Sequence, residues 1–300
     1  MAYNNRNGKD IYKAASKAAS IDTGNTALNG AIKIVAALVA VVFLLYQIGV
    51  IPNGGAAESK VPENAKIIEP AEKIETQPTA GPEGTYEWTT WNPDTAPNYY
   101  RIAGKAVITH PEVGVGEIEY GPLDALGRAT WACGQIDTAL YAKELEEERE
   151  QKLPNPAGWP SKNPEVDMEY WNGYVYHGNF WNRSHMIADS LGGDPIKQNL
   201  VPGTRTQNTG TNNAQGSGYG GMAYTEELAR QFLQDALDAK RGLVLYYCAT
   251  PVYEGSELIP RSVYVDIRSS DDSIDLHVET FNAVRNFTIN YSTGEFQQIL

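Results

Sequence analysis

The chain predicts an α+β domain built on a central antiparallel sheet flanked by helices and preceded by a single transmembrane helix. Three observations carry this expectation: an uncharged apolar run near the amino end, a helical apolar stripe from Met222 to Lys240, and β-rich runs separated by turn residues after it. Three hundred residues, 42% of them hydrophobic, are enough for one sizeable domain with appendages.

Residues 1–30 are polar, with Arg6, Lys9, Lys13 and Lys17 against Asp10 and Asp22. From Ile34 to Ile51 the chain runs eighteen residues without a charge. With Ala31, Ile32 and a snorkelling Lys33 this makes a helix of about 31 Å at roughly 1.5 Å per residue, long enough to cross a bilayer core. Residues 31–51 are therefore expected to be an uncleaved signal anchor. Basic residues on its amino side place that end in the cytoplasm and everything after Pro52 outside the cell. A secreted form follows if the anchor is cleaved. Residues 52–83, rich in Pro and Glu, hold too little apolar content to pack and read as a flexible tether. The folded domain is expected over 84–300.

Within that domain Ala106 to Thr109 reads as a short strand, and Leu140 to Lys152 as an exposed helix ending before Pro154. The aromatics Tyr170, Trp171, Tyr174, Tyr176, Phe180 and Trp181 suit a strand or hairpin. Leu228, Phe232, Leu233, Ala236 and Leu237 recur at helical spacing, and Glu226 and Arg230, four apart, project from a common face off that stripe. Leu243–Ala249, Ser262–Ile267, Leu276–Phe281 and Asn286–Tyr291 are β-rich, with the hydrophobic Leu243–Tyr247 run near the centre of the sheet.

Two cysteines, Cys133 and Cys248, exclude a thiolate zinc site and a small disulfide scaffold. Outside the membrane they can pair and close a long loop; the alternative is two separately buried thiols, which their apolar surroundings also suit. Charge argues in a less obvious direction. The first 83 residues hold eight basic and eight acidic groups, so the remainder holds 16 against 29 and carries the whole net charge of −13. That sign excludes tight nucleic-acid binding by counterion release alone. It allows a few clustered arginines to act at one phosphate beside a bound cation.

Trp181-Asn182-Arg183-Ser184-His185 and the later Asn199–Asn208 stretch supply such a site. Hydrolysing a phosphodiester requires a base for water, positive charge where the leaving oxygen develops charge, and alignment of the two. His185 offers a base with an ordinary pKa of about 6.5. The Asn208 carboxamide oxygen is a hard donor for one hydrated Mg²⁺, with Mn²⁺ or another divalent cation as alternatives. Asn208 also suits a turn in its polar surroundings, and the nearby Asn212 and Asn213 compete for the ligand role. The remaining histidines, His110, His177 and His277, read as structural or exposed. Arg205 reads as a partner for a backbone carbonyl.

The runs Asn182–Ile187, Asn199–Asn208 and Met222–Arg230 closely resemble the DNA/RNA non-specific endonucleases of the ββα-metal type, above all streptococcal-type secreted nucleases and membrane-anchored DNA-entry nucleases. The resemblance implies a β-hairpin and helix cradling the metal. It implies His185 as general base, Asn208 as metal ligand and Asn199 as its support, with Glu226 ordering metal-bound water and Arg183 and Arg230 near the phosphate. DNA is the implied substrate, RNA an open alternative, and sequence preference low. Where many members have Asp-Arg-Gly-His, this chain has Asn182 and Ser184. A catalytically silent nucleic-acid-binding or surface interaction module on the same fold is the competing expectation.

Overall fold

The computed structural model describes residues 86–146 and 152–299. The expected anchor at 31–51, its cytoplasmic leader and the tether at 52–83 lie outside the described residues. Among the described residues no helix is long and apolar enough to cross a membrane.

The elements run β1 (Tyr100–Gly104), β2 (Glu117–Tyr120), β3 (Ala132–Asp137), α1 (Thr138–Glu146), β4 (Glu165–Glu169), β5 (Val175–Asn179), β6 (Trp181–His185), β7 (Leu200–Thr204), α2 (Arg205–Thr209), α3 (Met222–Asp238), β8 (Val244–Val252), β9 (Ser262–Ser269), β10 (Asp275–Phe281), β11 (Phe287–Ile289) and β12 (Phe296–Gln298). Six of the strands form one antiparallel sheet in the order β1-β10-β9-β8-β3-β2. Three separate hairpins, β4–β5, β6–β7 and β11–β12, complete the strands. The domain is α+β, as expected.

β8 shows why the sheet has covered faces on both sides. Leu245, Tyr247 and Ala249 join the core under the helices, while Val244, Tyr246 and Cys248 join a second cluster with Val113 and Cys133. The period of two along a strand divides its residues between the two faces, and both sets are apolar. The strand accordingly sits fourth of six rather than at an edge. Cys133 and Cys248 are opposite one another in the β3–β8 ladder and are joined as a disulfide.

α3 packs its stripe onto the first of these faces. Ala229 and Leu233 are fully buried there, with Leu228, Phe232 and Leu237 partly so, and Ala236 is fully buried as well. Burying a side chain such as Leu233 contributes roughly 1.5–3 kcal/mol. α1 starts where Asp137 Oδ1 accepts the Leu140 amide, an N-cap interaction.

Four expectations need correction. Ala106–Thr109 is not a strand: its amides are taken by side chains, Ala106 by Asp275, Val107 by Asp266 and Thr109 by Tyr246. The first strand instead precedes it, at Tyr100–Gly104. The helix expected from Leu140 begins earlier, at Thr138, and Lys152 is not helical. Residues 286–291 do not extend the main sheet, because β11 pairs with β12. Arg205 lies over the Tyr176 ring, 4.5 Å from its centre, rather than on a carbonyl.

Candidate active site

β6 and β7 form a short antiparallel ribbon with His185 opposite Leu200 and Asn182 opposite Gly203. Chain direction after β7 is set by Asn282. This fully buried amide donates to the Pro202 and Pro260 carbonyls and accepts from the Thr204 amide, serving a strand whose proline cannot donate. Thr204 then caps α2, its hydroxyl accepting from the Gln207 amide at 3.1 Å. The sequence thus turns from strand to helix within one residue and carries Asn208 back over β6.

There the Ser184 hydroxyl donates to Asn208 Oδ1 at 2.9 Å. The contact uses the space left by a glycine: a Cβ on Gly203 would stand 2.7 Å from the Ser184 Cβ and would also strike the Gln207 carboxamide. Alternation along the strand turns His185 to the other side of β6 from Ser184. Asn208 and the imidazole are therefore connected through Ser184, with no direct hydrogen bond between them. Asn212 and Asn213 belong instead to the following loop, at φ 49° and 57°.

His185 is half-buried, and its Nε2 has no hydrogen-bond partner among the described residues. Burial lowers its pKa below the ordinary value, against the opposing pull of the Asp189 carboxylate. Burial thus favours the uncharged form of the ring. Beyond it the chain is clamped by Asn199, whose Oδ1 accepts the Ile187 amide while its Nδ2 donates to the Ile187 and Asp194 carbonyls. Asn199 is wholly buried and supports the backbone leaving His185.

α3 approaches the same segment. Arg230 donates to Ser190 Oγ at 3.2 Å, pairs with Glu227 at 3.1 Å and lies 3.7 Å from Glu226. Glu226 is 15% exposed, and burial pushes its carboxyl up to about 7, with Arg230 drawing it partly down. The pair is therefore half-enclosed rather than a solvated surface bridge. Arg183 has two neutral contacts: it donates twice to Asn155 Oδ1, at 3.0 and 2.6 Å, and lies 4.2 Å over the Trp159 ring. No described carboxylate neutralises it.

The structure thus joins Ser184 to Asn208 at one end of β6, turns His185 to the other side of that strand, and ties Glu226 and Arg230 to the turn that follows. Asn182 stays on the strand opposite Gly203. Ser190, Asn282 and Asn155 were not legible from spacing, since each partner is 28 to 80 residues away. Ser184 was visible only as a residue standing where glycine is common. Among the other histidines, His110 stacks on Trp131, His277 bonds Asp266, and His177 is 68% exposed beside Asp167. None joins this cluster.

No group of three or more His, Cys, Asp or Glu side chains able to hold a metal occurs among the described residues. The Asn208 carboxamide oxygen offers a candidate cation site a neutral donor. The buried Glu226 carboxyl and the unpartnered His185 Nε2 fit such a site, because both are polar groups enclosed without full compensation.

Residues 111–297 match the family described as DNA/RNA non-specific endonuclease, a span that contains every site residue named above. A curated deoxyribonuclease from Streptococcus dysgalactiae subsp. equisimilis is 32% identical over 210 residues, covering 61% of this chain and 61% of that protein. The chain thus spans about three-fifths of that relative's length. The solved structure of Sda1 nuclease with bound zinc ion superposes with a TM-score of 0.61 at 32% identity, over 70% of this chain and 100% of that one. With the family match running across well over half of its length, the chain belongs to the DNA/RNA non-specific endonucleases.

Proposed function

We propose that the protein is a metal-dependent, sequence-non-specific endonuclease that hydrolyses phosphodiester bonds of DNA, with RNA as a second substrate. The observation that carries this reading is the Ser184–Asn208 hydrogen bond, which orients a hard oxygen donor one residue along the chain from an unpartnered imidazole. Family membership and a related nuclease whose structure is described with zinc support a divalent cation, for which Mg²⁺ is our assignment.

When bound, such a cation supplies positive charge to the departing oxygen and to a nonbridging phosphate oxygen. His185 takes a proton from water through Nε2. The hydroxide oxygen forms a bond to phosphorus, the bond from phosphorus to the 3′-oxygen breaks, and that oxygen leaves with the electron pair. Asn208 would hold the cation through Oδ1, and Glu226 would orient water beside it. Arg183, free of a carboxylate among the described residues, offsets charge on the phosphate, and Arg230 holds Glu226 and the turn at Ser190 in place. Asn199 and Asn182 position the strand rather than meet substrate.

We further assign residues 1–30 to the cytoplasm, 31–51 to a membrane anchor, 52–83 to a tether and 84–300 to a nuclease domain facing outward. Plasmid nicking decides the catalytic part. The full chain should relax supercoiled plasmid in Mg²⁺ and not in EDTA, and His185→Ala should reduce the rate by at least about a hundredfold, the usual contribution of a positioned general base. Metal-dependent nicking that survives the substitution would falsify the assignment of the base.

A further inference from the structure

A trough of about 690 Å³ lies between residues 95–102, the tip of the β4–β5 hairpin and the outer face of α3. Its volume is that of an ordinary small-ligand site, which runs to roughly 300–1,000 Å³. Trp171, at the hairpin tip, is 46% exposed on its wall, and Ile102 beside it is 53% exposed. Tyr100 and Tyr224, also in the lining, stack on each other with centroids 3.9 Å apart. No described aromatic ring stacks on Trp171, and nearly half of its surface is open.

The charged groups of the lining are already satisfied. Arg101 is bonded to the buried Glu279 at 2.8 Å, and Glu227 to Arg230 at 3.1 Å and Gln231 at 2.8 Å. The trough therefore presents flat apolar rings with amide and hydroxyl edges and no unpaired charge. Phosphate gains nothing there, whereas a nucleobase, apolar on its face and polar on its edge, suits it. Two links join the trough to the candidate active site. Glu227 binds the same guanidinium that reaches Ser190 in the turn after His185. The loop at Ser217–Tyr219, which forms part of the lining, is the chain returning from the helix that carries Asn208.

We propose that this trough is a stacking subsite for unpaired bases of the strand being cut, with Trp171 as its main platform. The inference rests on the nuclease reading above and adds a substrate class to it, single strands and distorted duplex ends. Bases inside a regular duplex are already stacked on their neighbours and enter such a site only by leaving the helix.

The test measures binding of a labelled twelve-nucleotide DNA by fluorescence anisotropy to the full chain in EDTA, as a single strand and as a blunt duplex. Trp171→Ala should weaken single-strand binding by about 5- to 100-fold, the range expected for one lost base stack. Trp171→Phe should retain most of it. Duplex binding by Trp171→Ala, and its Mg²⁺-dependent hydrolysis of the base-free diester bis(p-nitrophenyl) phosphate, should match the parent. Because Trp171 is half-exposed on a turn, its truncation should leave the melting temperature nearly unchanged. Equal single-strand affinity for parent and variant, or equal loss for single strand and duplex, overturns the subsite while leaving the nuclease reading intact. A parent chain that leaves both DNA and the base-free diester uncut in Mg²⁺ overturns both.

Discussion

The hydroxyl of Ser184 donates to the carboxamide oxygen of Asn208 over 2.9 Å, and this bond places the oxygen end of the amide beside β6. An amide presents either oxygen or NH₂ at almost equal steric cost, and only oxygen suits a hard cation. With the Ser184 hydroxyl proton on it, the Asn208 oxygen keeps a second lone pair that a hard cation would use. Gly203 keeps the room for this arrangement, so serine in place of glycine at 184 comes with a small residue across the ribbon.

Removing that donor should therefore be read in the metal dependence. One hydrogen bond of about 1 kcal/mol net corresponds to about fivefold in affinity. Ser184→Ala is expected to raise the half-saturating Mg²⁺ concentration for plasmid nicking by about that factor, leaving the rate at saturating Mg²⁺ within about twofold of the parent. Calorimetric titration with Mn²⁺ should show the same weakening without any substrate present. An unchanged or tighter metal affinity would remove Ser184 from the positioning role.

Glu226 gives the stability of the metal-free protein a pH dependence whose sign is set by burial. Its folded pKa, about 7, is raised above the ordinary value of 4.5. Between these two values the folded state keeps a proton that the unfolded state has released, so stability falls as pH rises from about 4.5 to 7 and levels off above. His185 works the other way, since its lowered pKa makes stability rise with pH as the unfolded imidazole deprotonates near 6.5. Comparing variants isolates the carboxyl: Glu226→Gln should gain stability relative to the parent across that window. Urea unfolding in EDTA at pH 5 and pH 8 measures the gain, and a difference that does not grow with pH contradicts it.

How much of this was readable from the chain depends on the range of the interaction. The apolar period in β8 and the stripe on α3 are local patterns, and both elements form where those patterns lie. The hairpin leading into His185 was visible in its aromatics, with the turn at Tyr170–Tyr174 closed by Gly173 at φ 78°. The family motif likewise singles out His185, Asn208 and Glu226 as candidates without any geometry. Local patterns failed where distant side chains decide. Ala106–Thr109 has the composition of a strand, yet Asp266 and Asp275 take the amides a neighbouring strand would have bonded. Arg230 finds Ser190 forty residues away, and Asn282 holds β7 from eighty residues further on. No spacing rule encodes such pairs.

Asn199 tests the support of His185. Its side chain satisfies one buried amide and two carbonyls in the loop that leaves His185. Truncation leaves these groups unpaired, at a cost of about 1–3 kcal/mol for each that stays dry. Asn199→Ala is expected to lose about 3 kcal/mol of stability by urea unfolding, and to lower kcat more than it raises KM, because substrate contacts remain while the imidazole loses its fixed backbone. A variant with parental stability would show that water replaces the clamp at little expense.

The disulfide provides the last test, because its effect is set by chain topology more than by local contacts. Cys133 and Cys248 lie opposite each other on neighbouring central strands, 115 residues apart in sequence. Cross-linking them removes loop-closure freedom from the unfolded chain, and a loop of this length is expected to stabilise the fold by about 4–5 kcal/mol in the chain-entropy description. Both cysteines are fully buried, so replacing the pair by alanines also removes some apolar contact. Reduction without substitution separates the two effects. Unfolding of the parent should shift to lower urea in the presence of a strong reductant, while the double alanine variant should be insensitive to it. A parent whose midpoint ignores the reductant, under conditions where thiol labelling of the unfolded chain finds both cysteines free, would show that the bond contributes little to stability.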